Sequence, residues 1–297
     1  MDRFDMLFND SGVNKDYLAR NSNLTTEQID FLYSTEGVDK DFLAAHSKLT
    51  DKQFNRFFND SGVDKDFLAR NSNLTTEQID LLYSTEGVNK DYLAQNSKLT
   101  DEQFTRFFND EGVGKNYLAQ NPNLTTEQID LLYSTKGVDK NHLAHYPKLT
   151  DEQFNLFFNN KDVSKNYLAM NSNLTTEQID LLYSTEGVDN DYLAQYPKLT
   201  DEQFNLFFNT KDSIGNKYVH KNRLARNSNL TTEQIDLLYS TEGVKKSRVA
   251  EWSNLTDEQF NLFFNNEDVN KNRLARNPSI NPLHLKKWQT GIFNWSW

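Results

Sequence analysis

Two histidines, His142 and His145, stand three residues apart, a spacing compatible with metal ligation or proton transfer. No third ligand accompanies them, and both stand at repeat positions filled elsewhere by Tyr, Gln or Arg, so no metal site is expected. Carboxylates close enough in sequence for acid–base work are plentiful, Glu27 with Asp30 and Glu77 with Asp80 among them. They recur along the chain, which suits a repeated surface better than one active site. No phosphate-binding loop, nucleophile elbow or HExxH motif occurs. The chain has no cysteine, which removes disulfides and thiolate ligands together. The expected chemistry is therefore binding: not an enzyme, and no cofactor.

The residue types that bind protein surfaces stand in columns. One column reads Tyr17, Phe42, Phe67, Tyr92, Tyr117, His142, Tyr167 and Tyr192, then Arg223, Arg248 and Arg273. Tyr and Arg are enriched where binding energy concentrates. Tyr117, Tyr167, Tyr192, Arg223, Arg248 and Arg273 are accordingly candidate binding residues; the competing expectation is a half-buried column packed on the next unit. A lysine column runs from Lys15 and Lys40 to Lys246 and Lys271, broken by Asn190. It reads as a solvated ladder of ion pairs, with Asp39 or Asp41 as partners for Lys40. Acidic columns pass through Glu27, Glu77, Glu127, Glu177 and Glu233, and through Asp30, Asp80, Asp130, Asp180 and Asp236.

What positions these columns is a repeat. The landmark Leu-Thr falls at Leu24, Leu49, Leu74, Leu99, Leu124, Leu149, Leu174 and Leu199, always 25 residues apart, then at Leu230 and Leu255, and ends as Ile280. Each landmark opens a helix. In Leu24-Thr25-Thr26-Glu27-Gln28-Ile29, Thr25 is the N-cap and Gln28 completes a capping box, with Leu24 and Ile29 as the hydrophobic staple. Ile29, Leu32 and Tyr33 form the buried stripe, and Gly37 supplies a left-handed end. A shorter segment follows, typified by Val38, Phe42, Leu43 and Ala44, short enough to be α or 3₁₀. Units alternate between an Ile-Asp-Leu-Leu-Tyr type (Ile79 to Tyr83) and a phenylalanine type (Phe54, Phe57, Phe58), which predicts interdigitating layers. The expected fold is an all-α solenoid of about eleven 25-residue two-helix repeats, stacked along about 100 Å at packed-helix spacing.

The pattern at Val13, Lys15, Leu18, Ala19, Asn21, Leu24, Thr25, Glu27 and Gln28 resembles the variant leucine-rich repeat. That resemblance implies a superhelix alternating α and 3₁₀ helices, and it implies almost nothing about function.

One step is irregular. Ser213-Ile214-Gly215-Asn216-Lys217-Tyr218 exceeds the repeat by six residues, and insertions in repeat arrays map to one face, often the binding face. Ile214 and Tyr218 join the candidate site on that ground. The chain thus divides into an N-terminal array (1–212), the insertion (213–218), further repeats of the same solenoid (219–280) and a C-terminal cap (281–297) rich in tryptophan. Phe4, Leu7 and Phe8, which match Phe54, Phe57 and Phe58, are expected to cap the other end.

Composition narrows the partners. The 297 residues carry a net charge of -11 and a mean hydropathy of -0.79. The acidic balance argues against binding a phosphate backbone, which needs clustered Lys and Arg. No segment has membrane-spanning length and the opening Met1-Asp2-Arg3-Phe4-Asp5 is not of signal type, so a cytoplasmic protein is expected. The leading expectation is a protein-binding scaffold with a Tyr/Arg-rich surface and acidic flanks. The alternative is an acidic inhibitor that mimics nucleic acid and blocks a nucleic-acid enzyme, of immunity or anti-defence type. Direct nucleic-acid binding ranks third, and a basic concave stripe would favour it.

Overall fold

The computed structural model describes residues 2–210 and 218–280, with side chains from Lys221 onward in the second stretch. Among the described residues eleven long helices alternate with eleven short ones, from Arg3–Phe8 and Lys15–Ala19 in unit 1 to Asp257–Phe264 and Lys271–Leu274 in unit 11. The architecture is an all-α solenoid of two-helix repeats. Among the described residues there is no strand, and the short helices are α-helical, with 3₁₀ geometry only at Pro278–Ile280.

The long helices begin as their sequence dictates. From Thr25 in unit 2 to Thr256 in unit 11, each Thr hydroxyl accepts from the Gln backbone N–H three residues on, and each Gln side chain accepts from the Thr backbone N–H. Both exposed donors of the helix start are thereby satisfied. The ends differ between the two unit types. In the Ile-type units Gly37, Gly87, Gly137, Gly187 and Gly243 have φ of +79° to +87°, the left-handed region that only glycine enters without cost. The glycines of the Phe-type units are not left-handed. There an Asx-type turn forms instead, with the Gly62 N–H donating to the Asp60 carboxylate at 2.9 Å.

Packing between units follows from side-chain size. Leu43, Ala44, Leu68 and Ala69 on the short helices are fully buried, and alanine lets neighbouring short helices approach closely. These helices touch one another in sequence from unit 1 to unit 9, and again between units 10 and 11. The long helices are held apart by rings: Tyr33 meets Phe57 edge-on with centroids 4.8 Å apart, and Tyr83 meets Phe107 in the same way. A tight layer of short helices and a spread layer of long ones must curve, with the short helices inside.

That curvature closes the solenoid into a ring. The short helix of unit 11 packs against that of unit 1. The bonds that join consecutive units recur across this seam. Within the array, Asn71 Nδ2 donates to Ala44 O and Ser47 O at 2.7 and 2.8 Å; across the seam, Asn21 Nδ2 donates to Ala275 O and Asn277 O at 3.0 and 2.8 Å. The Asp39 N–H donates to Asp16 within the array, and the Asn14 N–H donates to Asn272 across the seam. Lys40 pairs with Asp60 at 2.8 Å, and Lys271 pairs with Asp10 at 2.6 Å. Arg3 stands where other units have Gln. It lies over the Phe260 ring at 4.8 Å and bonds Asp257 and the Leu255 carbonyl.

The expected stacking length of about 100 Å becomes the circumference of a belt about 30 Å across at its helix axes; the closure itself is not legible in the sequence. The first unit is not a free end: its short helix packs against that of unit 11 and Arg3 covers the Phe260 ring, while Phe4 and Phe8 pack on Phe31 of unit 2. The expected C-terminal cap, 281–297, lies outside the described residues.

Candidate functional site

On each short helix the buried Leu-Ala pair points at the long helices. The residues on either side of that pair, Tyr17 and Arg20 in unit 1, therefore face away from them, onto the inner surface of the belt. The Tyr/Arg column lies on this surface and is partly exposed throughout: Tyr117 is 38% and Tyr167 36% exposed, while Tyr192, Arg223 and Arg248 are half-buried and Arg273 is exposed.

Three residues further along each short helix stands a second column that sequence reasoning did not single out: Arg20, Arg70, Arg226 and Arg276, with Gln95, Gln120, His145, Met170 and Glu251 at other units. The i, i+3 spacing from the first column was its available signal. The two columns interlock. The Arg20 guanidinium covers the Phe42 ring at 3.7 Å and the Tyr17 ring at 5.6 Å, and Arg70 covers Tyr92 at 4.0 Å and Phe67 at 5.0 Å. Arg276 lies over Tyr17 from across the seam at 4.6 Å. Tyr17 thus sits between two arginines that are 256 residues apart in sequence.

Ring closure therefore joins the arginines of units 9, 10 and 11 to those of units 1 and 3 in one arc. Arg223 pairs with Asp191 at 3.2 Å, and Arg273 and Arg276 converge on the buried Glu251 at 2.5 and 3.0 Å. Arg20, Arg70, Arg226 and Arg248 have no carboxylate within ion-pairing distance among the described residues. Burial lowers the Arg248 pKa, and Arg226, Arg223 and Arg273 lower it further, a mark of how closely these charges are gathered. The same field acts on His46: burial holds its pKa below the usual histidine value, and Arg20 and Arg276 add to the effect.

The other half of the inner surface is neutral and aromatic. Gln95 donates to Gln120, and Gln120 meets His142 at 3.3 Å. His145 contacts Tyr146, Tyr167 and Tyr196 with centroid distances of 4.1, 6.4 and 6.1 Å. Burial lowers the His145 pKa, which suits a neutral aromatic neighbour. His142 and His145 thus belong to a packed cluster, and no group of three or more ligating side chains able to hold a metal occurs among the described residues. Of the insertion candidates, Ile214 lies outside the described residues. Tyr218 opens the helix Tyr218–Leu224, and its side chain lies outside them as well.

The outer columns are largely committed to structure. Asp30, Asp80, Asp130, Asp180 and Asp236 each accept from the Gln Nε2 of the next long helix, at 2.7–2.9 Å. The lysines do not pair with the acids of their own helix start. Lys40 and Lys90 reach Asp60 and Asp110 of the following unit, while Lys115 and Lys165 donate to backbone carbonyls. Asp60 is held well below the usual carboxylate range by hydrogen bonds from Lys40, Tyr33 and the Gly62 N–H. Asp110 is held low in the same way by Tyr83 and Lys90.

Comparison with known proteins finds no matching family, no similar curated protein and no similar solved structure. The resemblance to the variant leucine-rich repeat is corrected on these findings. Leucine-rich repeats carry a strand in each repeat, and the described residues contain none. The implied alternation of α with 3₁₀ helices is also replaced by α with α. No described helix is long and apolar enough to cross a membrane.

Proposed function

We propose that this chain is a non-enzymatic scaffold that holds a protein partner on the Tyr- and Arg-lined face of its short helices. The observation that carries this reading is the surplus of arginine on that face. In a chain of net charge -11, Arg20, Arg70, Arg226 and Arg248 lie along one half of that face without ion-pair partners among the described residues. Guanidinium groups presented on a preorganised helical surface, beside half-exposed tyrosines, are the residue types from which binding hot spots are built. The acidic columns that would support mimicry of a nucleic acid are weakened as a binding surface, because the Asp column is spent on bonds between units.

The test is capture from a nuclease-treated lysate of the native source with the tagged chain, beside two variants. One carries Arg20→Glu, Arg226→Glu and Arg248→Glu, which leaves the ion pairs of Arg223 and Arg273 intact; the other carries Lys52→Glu and Glu102→Lys on the long helices. A discrete protein captured by the parent and the long-helix variant but lost with the arginine variant is the expected result. A partner lost only with the long-helix variant, or recovery of nucleic acid alone from an untreated lysate, would overturn the reading.

A further inference from the structure

We infer that the partner contributes an acidic, carboxylate-rich segment, and that this segment lies along the arginine arc across the ring seam, from unit 9 through units 10 and 11 to unit 1. The inference rests on the scaffold reading and gives its partner a chemistry.

Three observations point the same way. The face already shows how it takes a carboxylate: Glu251, buried, is gripped by Arg273 on one oxygen at 2.5 Å and by Arg276 on the other at 3.0 Å. Charge-assisted bonds of this kind are short and strong. Arg248 stands between Arg223 and Arg273 at the same position of successive short helices, with Arg226 three residues on from Arg223. Neither Arg226 nor Arg248 has a carboxylate within ion-pairing distance among the described residues, and Glu251 acts on Arg248 only from further off. An incoming anion relieves the repulsion among them. Finally, Arg20 is brought to the end of this row by Arg276 stacking on Tyr17, so the row is continuous only in the closed ring.

A nucleic-acid strand fits less well. Bases bind single-strand proteins by stacking on a row of aromatic faces. In this arc the Tyr17 ring is covered by Arg20 and Arg276, which leaves Trp252, 47% exposed on the short helix of unit 10, as a single open face among the described residues. Nor does the chain supply its own ligand from its last residues. Positions 281–297 contain His284, Lys286 and Lys287 and no acidic side chain. Three steps between packed short helices span about 24–30 Å, the reach of about eight extended residues.

The experiment is fluorescence anisotropy with a labelled oligoglutamate of about ten residues, against an oligothymidylate of matched charge and a neutral oligoserine. The proteins are the full chain, Arg226→Glu with Arg248→Glu, Arg20→Glu, and Lys52→Glu, which matches the charge change of Arg20→Glu on a long helix. Circular dichroism establishes that each is folded. Oligoglutamate should bind with about a tenfold loss in the double variant and a smaller loss in Arg20→Glu, while Lys52→Glu stays within about twofold. Tighter binding of oligothymidylate, equal loss in Lys52→Glu, or no oligoglutamate binding would overturn the inference. Where the lysate partner is still captured and still lost with the arginine variant, such a result removes the acidic segment and leaves the scaffold.

Discussion

At the residue scale, two kinds of polar side chain hold neighbouring units together, and they respond differently to change. The buried asparagines are the stronger. Asn171 donates to Ala144 O and Pro147 O at 3.0 and 2.9 Å, and its side-chain oxygen accepts from the Asn173 N–H. Asn171→Ala leaves these groups buried and unpaired, and is expected to cost about 3 kcal/mol in denaturant unfolding. The aspartates Asp60 and Asp110 are the weaker. Asn160 and Asn266 stand at the same repeat position and bond Tyr133 and Tyr239, so the structure tolerates the amide. Asp60→Asn is expected to cost about 0.5 kcal/mol at neutral pH. Because both carboxylates are held below their ordinary pKa, their contribution is complete above about pH 4 and is lost as acid protonates them in the folded state. Asp60→Asn with Asp110→Asn should therefore flatten the decline of melting temperature below about pH 4, and an unchanged acid limb would show that these pairs do not set it.

At the element scale, the two unit types leave their long helices by different routes. Gly87 has φ of +84°, and the space that a methyl group would fill there is open, so Gly87→Ala strains only the backbone and should cost about 1–2 kcal/mol. Gly112 has ordinary φ, and its N–H is held by the Asp110 carboxylate. Asp162 and Asp268 occupy the same turn in other units, with N–H groups held by Asn160 and Asn266. Gly112→Ala brings its new carbon within 3.1 Å of Asp110 Oδ1, a side-chain tip that can yield, and should accordingly cost less than Gly87→Ala, about 0.5 kcal/mol. Equal thermal shifts for the two substitutions would mean that the turns are not distinct.

At the scale of the whole molecule, closure makes a claim that an open array does not. In the ring, Asn21 is buried and bonded to unit 11 in the same way that Asn171 is bonded to unit 6. Asn21→Ala should then cost about as much as Asn171→Ala, about 3 kcal/mol. In an open solenoid Asn21 would be exposed at a free end, and the substitution would be close to neutral. Unfolding of the two variants side by side therefore decides between ring and open array. Closure also changes the binding surface: the arginines of units 9 to 11, at the far end of an open array from Arg20, become its neighbours.

The two-helix repeat was legible in the residues because its signals are local. Thr25 and Gln28 meet three residues apart, Leu24 and Ile29 flank the same turn, and Gly37 acts on its own backbone. The Tyr/Arg column was legible as a column for the same reason, since a fixed period of 25 puts equal positions on equal faces. The inner arginine arc was not. It depends on curvature, a small angle per unit set by the contrast between buried alanines on one layer and phenylalanines on the other. Over eleven units that angle sums to a full turn, and a slightly different sum would leave a helix with separate ends. Local chemistry in the chain determined every unit and its order; only the tertiary structure decided that Asn21 meets Ala275, that Tyr17 lies between Arg20 and Arg276, and that the scattered arginines form one surface.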